Sequence, residues 1–265
     1  MPELPEVQTV INGLNEKVLE KEIREIIELR PGTVDWQIPI TSLGIINSIT
    51  RRGKYIILQT SKNINLVIHL RMTGKLIFET DINKTSKHTR AEIIFTDNTK
   101  LIFNDVRTFG KIQVLDAEDE VEAFGRLGAE PLSKEFNVNY FSEKLRNRNA
   151  PIKNILLDQQ VIAGLGNIYV AEILYRCKID PRKAGKTLRS AQIKKIIKHT
   201  KVVLQEAIKH SGTTISDYRS VEDKSGEFQN FLKVYGKKTC ECGAEIMRIK
   251  QAGRSTYFCP ICQSL

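Results

Sequence analysis

The chain has 265 residues, 41% of them apolar, with 41 Lys and Arg against 31 Asp and Glu, a formal net charge of +10. A chain of this length and apolar content can bury a sizeable core in two ordinary domains, which excludes wholesale disorder, and its basic excess points to a polyanionic partner: nucleic acid, or as a rival an anionic membrane surface. No apolar run is long enough to span a bilayer and the N-terminal stretch MPELPEVQTVINGL has no basic region, so neither a membrane span nor a secretory signal is expected, and a reducing cytosol is the expected compartment.

In chain order, residues 5–19 read as an amphipathic helix, because Val7, Val10, Ile11, Leu14 and Val18 recur at three- and four-residue steps. Pro5 suits the first turn, where its missing N–H has no intrahelical partner. From about 22 to 116 short β-rich runs follow (EIREIIEL, YIILQT, INLVIHL, KLIFET, RAEIIFT, KLIFND, KIQVLD), bounded by turn signals such as Ser61-Lys62-Asn63 and Asp97-Asn98. Many short strands at close spacing predict a sandwich or barrel. From about 117 the pattern turns helical, in VEAFGRLG, NYFSEKLRNRN, IKNILLD, NIYVAEILYRC and the run from Ser190 to His210. The GAEPL stretch between Gly128 and Leu132 breaks the periodicity. The expected units are therefore 1–131, 132–230 and 231–265. Residues 211–230 are polar and Gly/Ser-containing, and read as a mobile loop.

Of the five cysteines, Cys177 reads as a buried helix residue, while Cys240, Cys242, Cys259 and Cys262 fall in the last 26 residues. Two close pairs separated by sixteen residues suit a tetrahedral zinc site of structural type, since four thiolates leave no open position. A terminal unit this small needs such a staple. The one-residue spacing of Cys240 and Cys242 is shorter than usual. Between the pairs, Ala252-Gly253 predicts a tight turn and Thr256-Tyr257-Phe258 a strand, so Arg254 sits near the tip of a hairpin, either gripping phosphate or merely solvated.

The stretch Ile162-Ala-Gly-Leu-Gly166-Asn167 joins two helices through a Gly-rich turn. It reads as a plain connection or, with Arg146, Arg148 and Lys153 upstream, as a cradle for a DNA backbone. At the other end, removal of Met1 before the small residue Pro2 would leave a secondary amine with an ordinary α-amino pKa of roughly 8. Such an amine can attack a sugar C1′ and form an iminium, with Glu3 protonating the ring oxygen and Glu6 assisting. The competing reading is an ordinary helix start with acids near the positive end of the dipole.

Several motifs in order resemble the formamidopyrimidine-DNA glycosylase family: MPELPEV at the start, RRGKY (51–55), HLRMTG (69–74), KHTR (87–90), DVRTFG (105–110), AGLGNIYVAEIL (163–174), FQNFLKVYGK (228–237) and the terminal cysteine unit. The resemblance spans the chain. It implies an α+β architecture: an N-terminal helix and β-sandwich, then a helix–two-turn–helix domain with a four-cysteine zinc finger, and bent DNA held between them. It implies excision of oxidised purines (8-oxoguanine and formamidopyrimidines) from double-stranded DNA, with abasic-site lyase activity by β,δ-elimination. In that scheme Pro2 is the Schiff-base nucleophile, Glu3 the general acid, Lys54 the group acting in β-elimination and Arg254 that in δ-elimination. His88, Arg107, Asn149, Lys153 and Asn167 contact DNA, and Met72, Arg107 and Phe109 fill the gap left by the everted base. The 211–230 loop closes over that base. One structural Zn2+ and a monomer are implied as well.

Gln8 and Asn149 depart from the family pattern, the first standing where relatives often carry Glu and the second replacing a usual basic residue. Two other readings are an endonuclease VIII-like enzyme for oxidised pyrimidines, disfavoured by PELPEV and the long loop, and a non-catalytic DNA-binding zinc protein, disfavoured by the intact Pro2, Glu3, Lys54 and Arg254.

Overall fold

Leu4–Lys17 forms the first helix, α1, in the computed structural model, which describes residues 1–39, 42–119, 122–213, 221 and 225–263, without the side chains of 122 and 123. Glu6 at the third helical position reaches back to accept the Glu3 N–H at 2.8 Å, satisfying one donor of the helix start. Leu4, Val7, Val10, Ile11 and Leu14 form the buried stripe. The helix stops short of the expected residue 19: Val18 leaves helical geometry and Glu20 takes a left-handed φ of 65°.

The chain divides into two compact units: Met1–Gly125 with His210–Glu227, and Arg126–Lys209 with Phe228–Leu265. The sequence places its boundaries at 131 and 230 instead. The difference lies mainly in 210–227, which returns to the first unit after the long helix of the second.

Among the described residues of the first unit α1 is followed by nine strands: β1 Glu22–Glu28, β2 Val34–Trp36, β3 Gly44–Arg52, β4 Tyr55–Thr60, β5 Ile64–His69, β6 Gly74–Glu79, β7 Thr89–Phe95, β8 Lys100–Asp105 and β9 Lys111–Asp116. Their hydrogen-bonded order is β2-β9-β5-β4-β3-β1-β7-β8-β6. All pairings are antiparallel except β2 with β9. β1 touches β3 only through Glu22 and Ile23, then a register shift between Ile23 and Glu25 carries it along β7. Such a bulge bends a strand, and here it is the corner at which the ribbon passes from one layer to the other. Ile46, Ile56, Leu66 and Val114 from one layer share a core with Leu76, Ile93, Phe95 and Phe103 from the other, and Val7, Val10 and Leu14 of α1 join it. The result is the expected β-sandwich with an N-terminal helix. A short helix, α2 (Glu122–Gly125), ends this run.

The second unit holds α3 (Val138–Leu145), α4 (Ile152–Leu157), α5 (Asn167–Cys177) and α6 (Ser190–Lys209), 3-10 turns at Gly185–Thr187 and Phe228–Phe231, and a hairpin of β10 (Met247–Gln251) and β11 (Arg254–Phe258). Asn137 caps α3 by accepting the Tyr140 N–H at 3.0 Å. The turn between α4 and α5 is stapled by Gln159, whose amide donates to the Leu157 and Leu165 carbonyls (3.0 and 2.9 Å) and accepts from Gly164 N–H at 2.9 Å. α5 is buried on most sides, from Tyr169 to Leu174, and ends at Lys178 in the left-handed region. Its Glu172, 1% exposed, accepts the backbone N–H groups of Lys233, Val234 and Tyr235 at 2.9–3.0 Å. That carboxylate fastens the segment leading into the cysteine unit to the helix core.

Candidate active site and nucleic-acid interface

The N-terminal groups of the first unit are held by one carboxylate. Pro2 is buried, and Glu3 and Glu6 are 3% and 2% exposed. Glu6 accepts the Glu3 N–H with Oε2 and the Thr213 N–H, at 2.7 Å, with Oε1. Gly212 beside Thr213 has φ +75°, and a Cβ there would lie 2.7 Å from Glu6 Oε1. Only glycine allows this approach. The Glu227 N–H bonds the His210 carbonyl at 3.0 Å, so the expected capping loop is closed at its base. Val221 within it is buried against Gly13, and its carbonyl accepts the Phe78 N–H at 3.1 Å. The rest of that expected loop, 214–220 and 222–224, lies outside the described residues.

Lys54 lies in the two-residue turn between β3 and β4 and is 7% exposed. Gly53 adopts φ 57° in that turn. Arg51 donates to the Gly53 carbonyl at 3.0 Å and to Gln8 Oε1 of α1 at 3.1 Å. The departure at Gln8 thus keeps an acceptor for Arg51 while removing a charge, and the Lys54 turn stays fastened to the helix that carries Pro2.

His69, at the end of β5, opens the HLRMTG motif, yet neither spacing nor resemblance assigns it a role. Its Nδ1 accepts the Arg71 N–H at 2.9 Å and its ring meets Tyr55 edge-on at 4.5 Å. Burial, then the charges of Arg71 and Lys54, pull its pKa down to about 3. At neutral pH the imidazole is uncharged, and with Nδ1 accepting, the proton sits on Nε2.

Met72 and Phe109 are 38% and 52% exposed on the loops after β5 and β8. The Arg107 guanidinium lies over the Phe109 ring at 5.0 Å. The Arg107 N–H donates to Thr73 Oγ1 at 3.0 Å, so the structure brings these three residues onto two bonded loops. His88 is half-buried just before β7, its Nδ1 3.4 Å from Arg90 Nη2.

In the second unit the turn between α4 and α5 and the hairpin form one constellation. Ala252 and Gly253 both have positive φ (46° and 77°), the geometry of a two-residue hairpin turn, which places exposed Arg254 at the first position of β11. Lys153, 1% exposed, donates to the Ser255 carbonyl at 3.1 Å and to Thr256 Oγ1 at 2.6 Å. Burial and the Arg254 charge lower its pKa to about 8. Asn167 Nδ2 donates to the same Ser255 carbonyl at 2.9 Å, and among the described residues its buried Oδ1 has no partner. Asn149 is exposed in the turn after α3, and the adjoining Arg148 is paired with Asp158 at 3.0 Å.

The four expected thiols converge. The Sγ atoms of Cys240, Cys242, Cys259 and Cys262 lie within 4.8 Å of one another, with Cys240–Cys262 at 3.8 Å and Cys242–Cys259 at 3.6 Å. A tetrahedral zinc with Zn–S bonds of about 2.3 Å requires S–S edges of about 3.8 Å. The short Cys240-x-Cys242 spacing is therefore compatible with the metal. The Tyr175 hydroxyl of α5, 3.2 Å from Cys240 Sγ, supports that ligand from outside. This centre binds one structural Zn2+ and anchors the strand that presents Arg254.

No helix among the described residues is long and apolar enough to cross a membrane. Three family models match the chain: the formamidopyrimidine-DNA glycosylase N-terminal domain over residues 1–112, the H2TH domain of the same glycosylase over 127–219, and the zinc finger found in FPG and IleRS over 241–265. Among curated relatives, the formamidopyrimidine-DNA glycosylase of Wolbachia pipientis subsp. Culex pipiens (strain wPip) is 42% identical, with all of both chains covered. That of Rickettsia africae (strain ESF-5) is 38% identical over 99% of each chain. Among solved structures, the Lactococcus lactis FPG mutant G226P in complex with Fapy-dG-containing DNA superimposes with a TM-score of 0.90 at 37% identity, covering all of both chains. The Lactococcus lactis Fpg complexed with an abasic site containing DNA gives the same score and identity over 99% of this chain and all of the other. The chain belongs to the formamidopyrimidine-DNA glycosylase family, base-excision repair enzymes that combine glycosylase with abasic-site lyase activity.

Proposed function

We propose that this glycosylase and lyase acts on oxidised purines in duplex DNA with Pro2 as its nucleophile, and that the arrangement around Glu6 is the observation that carries this reading. One carboxylate ties the backbone of Glu3 to that of Thr213, so the N-terminal amine has a fixed direction rather than that of a frayed terminus. Once Met1 is removed, the Pro2 nitrogen attacks C1′ of an everted nucleotide. The base departs with a proton, and an iminium links protein and sugar. Glu3, buried beside the nucleophile, protonates the sugar ring oxygen. Lys54 contacts phosphate near the lesion and acts as the sugar loses its 3′ phosphate by β-elimination. Arg254 grips the backbone and acts in δ-elimination, which releases the 5′ phosphate.

The DNA contacts divide by chemistry. Met72 and Phe109 supply exposed apolar surface that replaces stacking lost when a nucleotide leaves the duplex, and Arg107 offers hydrogen bonds to the base left opposite. Asn167 and Lys153 meet the phosphate backbone together with Arg254, while His88 and Asn149 add outlying contacts. The enzyme acts as a monomer on bacterial DNA in the cytoplasm.

Borohydride reduction in the presence of an 8-oxoguanine:C duplex tests this reading. A covalent complex is expected, and it should vanish in protein whose N-terminus is extended by one residue or chemically blocked. Normal strand scission by protein whose mass retains Met1 would overturn the mechanism. A second substrate class enters through one observation: a Lactococcus lactis Fpg structure contains DNA with an oxidised pyrimidine. A panel of lesions separates the two, with purine lesions expected to be excised faster.

A further inference from the structure

Asp105, the last residue of β8, is wholly buried, and its carboxylate closes the junction of the two loops that carry Met72 and Phe109. Oδ1 accepts the Thr73 hydroxyl and, at 3.2 Å, the Arg107 N–H. Oδ2 accepts the Gly110 N–H at 2.8 Å. The backbone of Asp105 reaches a third motif. Its N–H bonds the His88 carbonyl at 2.9 Å, and its carbonyl accepts Arg90 Nε at 2.7 Å.

We infer that Asp105 is a positioning residue that holds the Met72 loop, the Arg107–Phe109 loop and the turn carrying His88 in one arrangement, and so governs displacement of the target base. This rests on the reading that Met72, Arg107 and Phe109 fill the emptied stack. Both loops contain a non-glycine residue in the left-handed region beside the exposed one: Arg71 at φ 54° before Met72, and Thr108 at φ 60° before Phe109. Such conformations persist only where the surroundings over-determine them. The Asp105 carboxylate supplies that constraint, with charge-assisted bonds to a side chain and two backbone donors. Gly110 is matched to it: a Cβ there would lie 2.4 Å from Phe103 Cζ and 3.2 Å from Asp105 Oδ2, too close for the N–H to reach the carboxylate undisturbed. Exposed side chains at Met72 and Phe109 thus stand next to a buried, fixed base at Thr73 and Gly110. A wedge must be stiff if it is to replace a stacked base rather than fold away from it.

The experiment uses the full-length, zinc-loaded protein. Asp105→Asn keeps the shape but turns one acceptor into a donor, Thr73→Val removes the hydroxyl, and Thr73→Ser restores it. Two readouts are compared: single-turnover excision of 8-oxoguanine opposite C in a duplex, and borohydride trapping on a single-stranded oligonucleotide with a preformed abasic site, where no base need be displaced. Duplex excision is expected to fall about tenfold or more in Asp105→Asn and Thr73→Val, to stay near the starting value in Thr73→Ser, and trapping to stay within about twofold throughout. Equal losses in both readouts, or unchanged duplex excision, would overturn the inference. Met72→Ala and Phe109→Ala separate it from the reading beneath it. If they leave duplex excision intact, the stack-filling reading fails and this inference with it. If they lower excision while Asp105→Asn and Thr73→Val do not, only the role of Asp105 fails. Should Asp105→Asn melt early, Thr73→Val decides.

Discussion

Lys153 Nζ lies 2.6 Å from Thr256 Oγ1, a bond from the short helix α4 to the middle of the strand that begins with Arg254. Lysine here joins two elements far apart in the chain. Lys153→Ala should therefore weaken DNA binding and also shift products from β,δ- toward β-elimination, because Arg254 loses its support. Gel analysis of cleaved ends checks this. A uniform loss of binding with unchanged product ratio would limit Lys153 to phosphate contact.

The same amine makes a pH prediction. Burial and Arg254 lower its pKa to about 8 from the ordinary 10.5, so between those values the unfolded chain binds the proton and the folded chain does not. Its contribution to stability is present above pH 10.5 and is lost as pH falls through about 8. Melting temperatures of the Lys153→Met protein should rise less steeply than those of the parent across this window. Parallel curves would contradict the assignment.

His69 behaves likewise at lower pH. With a folded pKa of about 3 against 6.5, it favours the folded state above pH 6.5, and that contribution is lost as pH falls toward 3. Its imidazole should show no titration between pH 5 and 8 by NMR, with the proton on Nε2. A midpoint near neutrality would mean that the ring is not buried beside Arg71 and Lys54 as described.

Glu6→Gln replaces an acceptor of two backbone N–H groups by one that can satisfy a single such donor. Loss of a charge-assisted bond of this kind lowers covalent trapping by about tenfold or more, while zinc content stays the same. Trapping at the original rate would show that the amine needs no such support.

Chelation of zinc should abolish DNA binding and leave the sandwich folded, because the cysteine unit and the sandwich core belong to different compact units. Circular dichroism and zinc release measured together test this. Loss of the β signal along with the metal would count against it.

What is legible in the sequence follows from the range of the interactions. The sandwich strands and α1 are readable because alternation and helical periodicity are local, and the cysteine cluster because its ligands come in two close pairs. The turn residues beside Arg254 are enough to put it near a hairpin tip. Long-range pairings leave no such mark. Nothing in DVRTFG says that Asp105 bonds Thr73, thirty-two residues earlier, and Glu172 looks like one more polar position of a helix although it binds Lys233, Val234 and Tyr235. The division into units differs from the sequence expectation for the same reason: the return of 210–227 to the first unit depends on Glu6 meeting Thr213, a contact across 207 positions. His69 is noticeable as a histidine closing an apolar β-run, but its depressed basicity comes from burial that spacing does not encode.

Val221 sits in the sandwich core against Gly13 of α1 and accepts the Phe78 N–H. A Cβ added at position 13 would come within 3.3 Å of Val221 Cβ and Cγ2, so these two positions share one fixed volume. Enlarging the side chain at one of them therefore calls for a smaller one at the other.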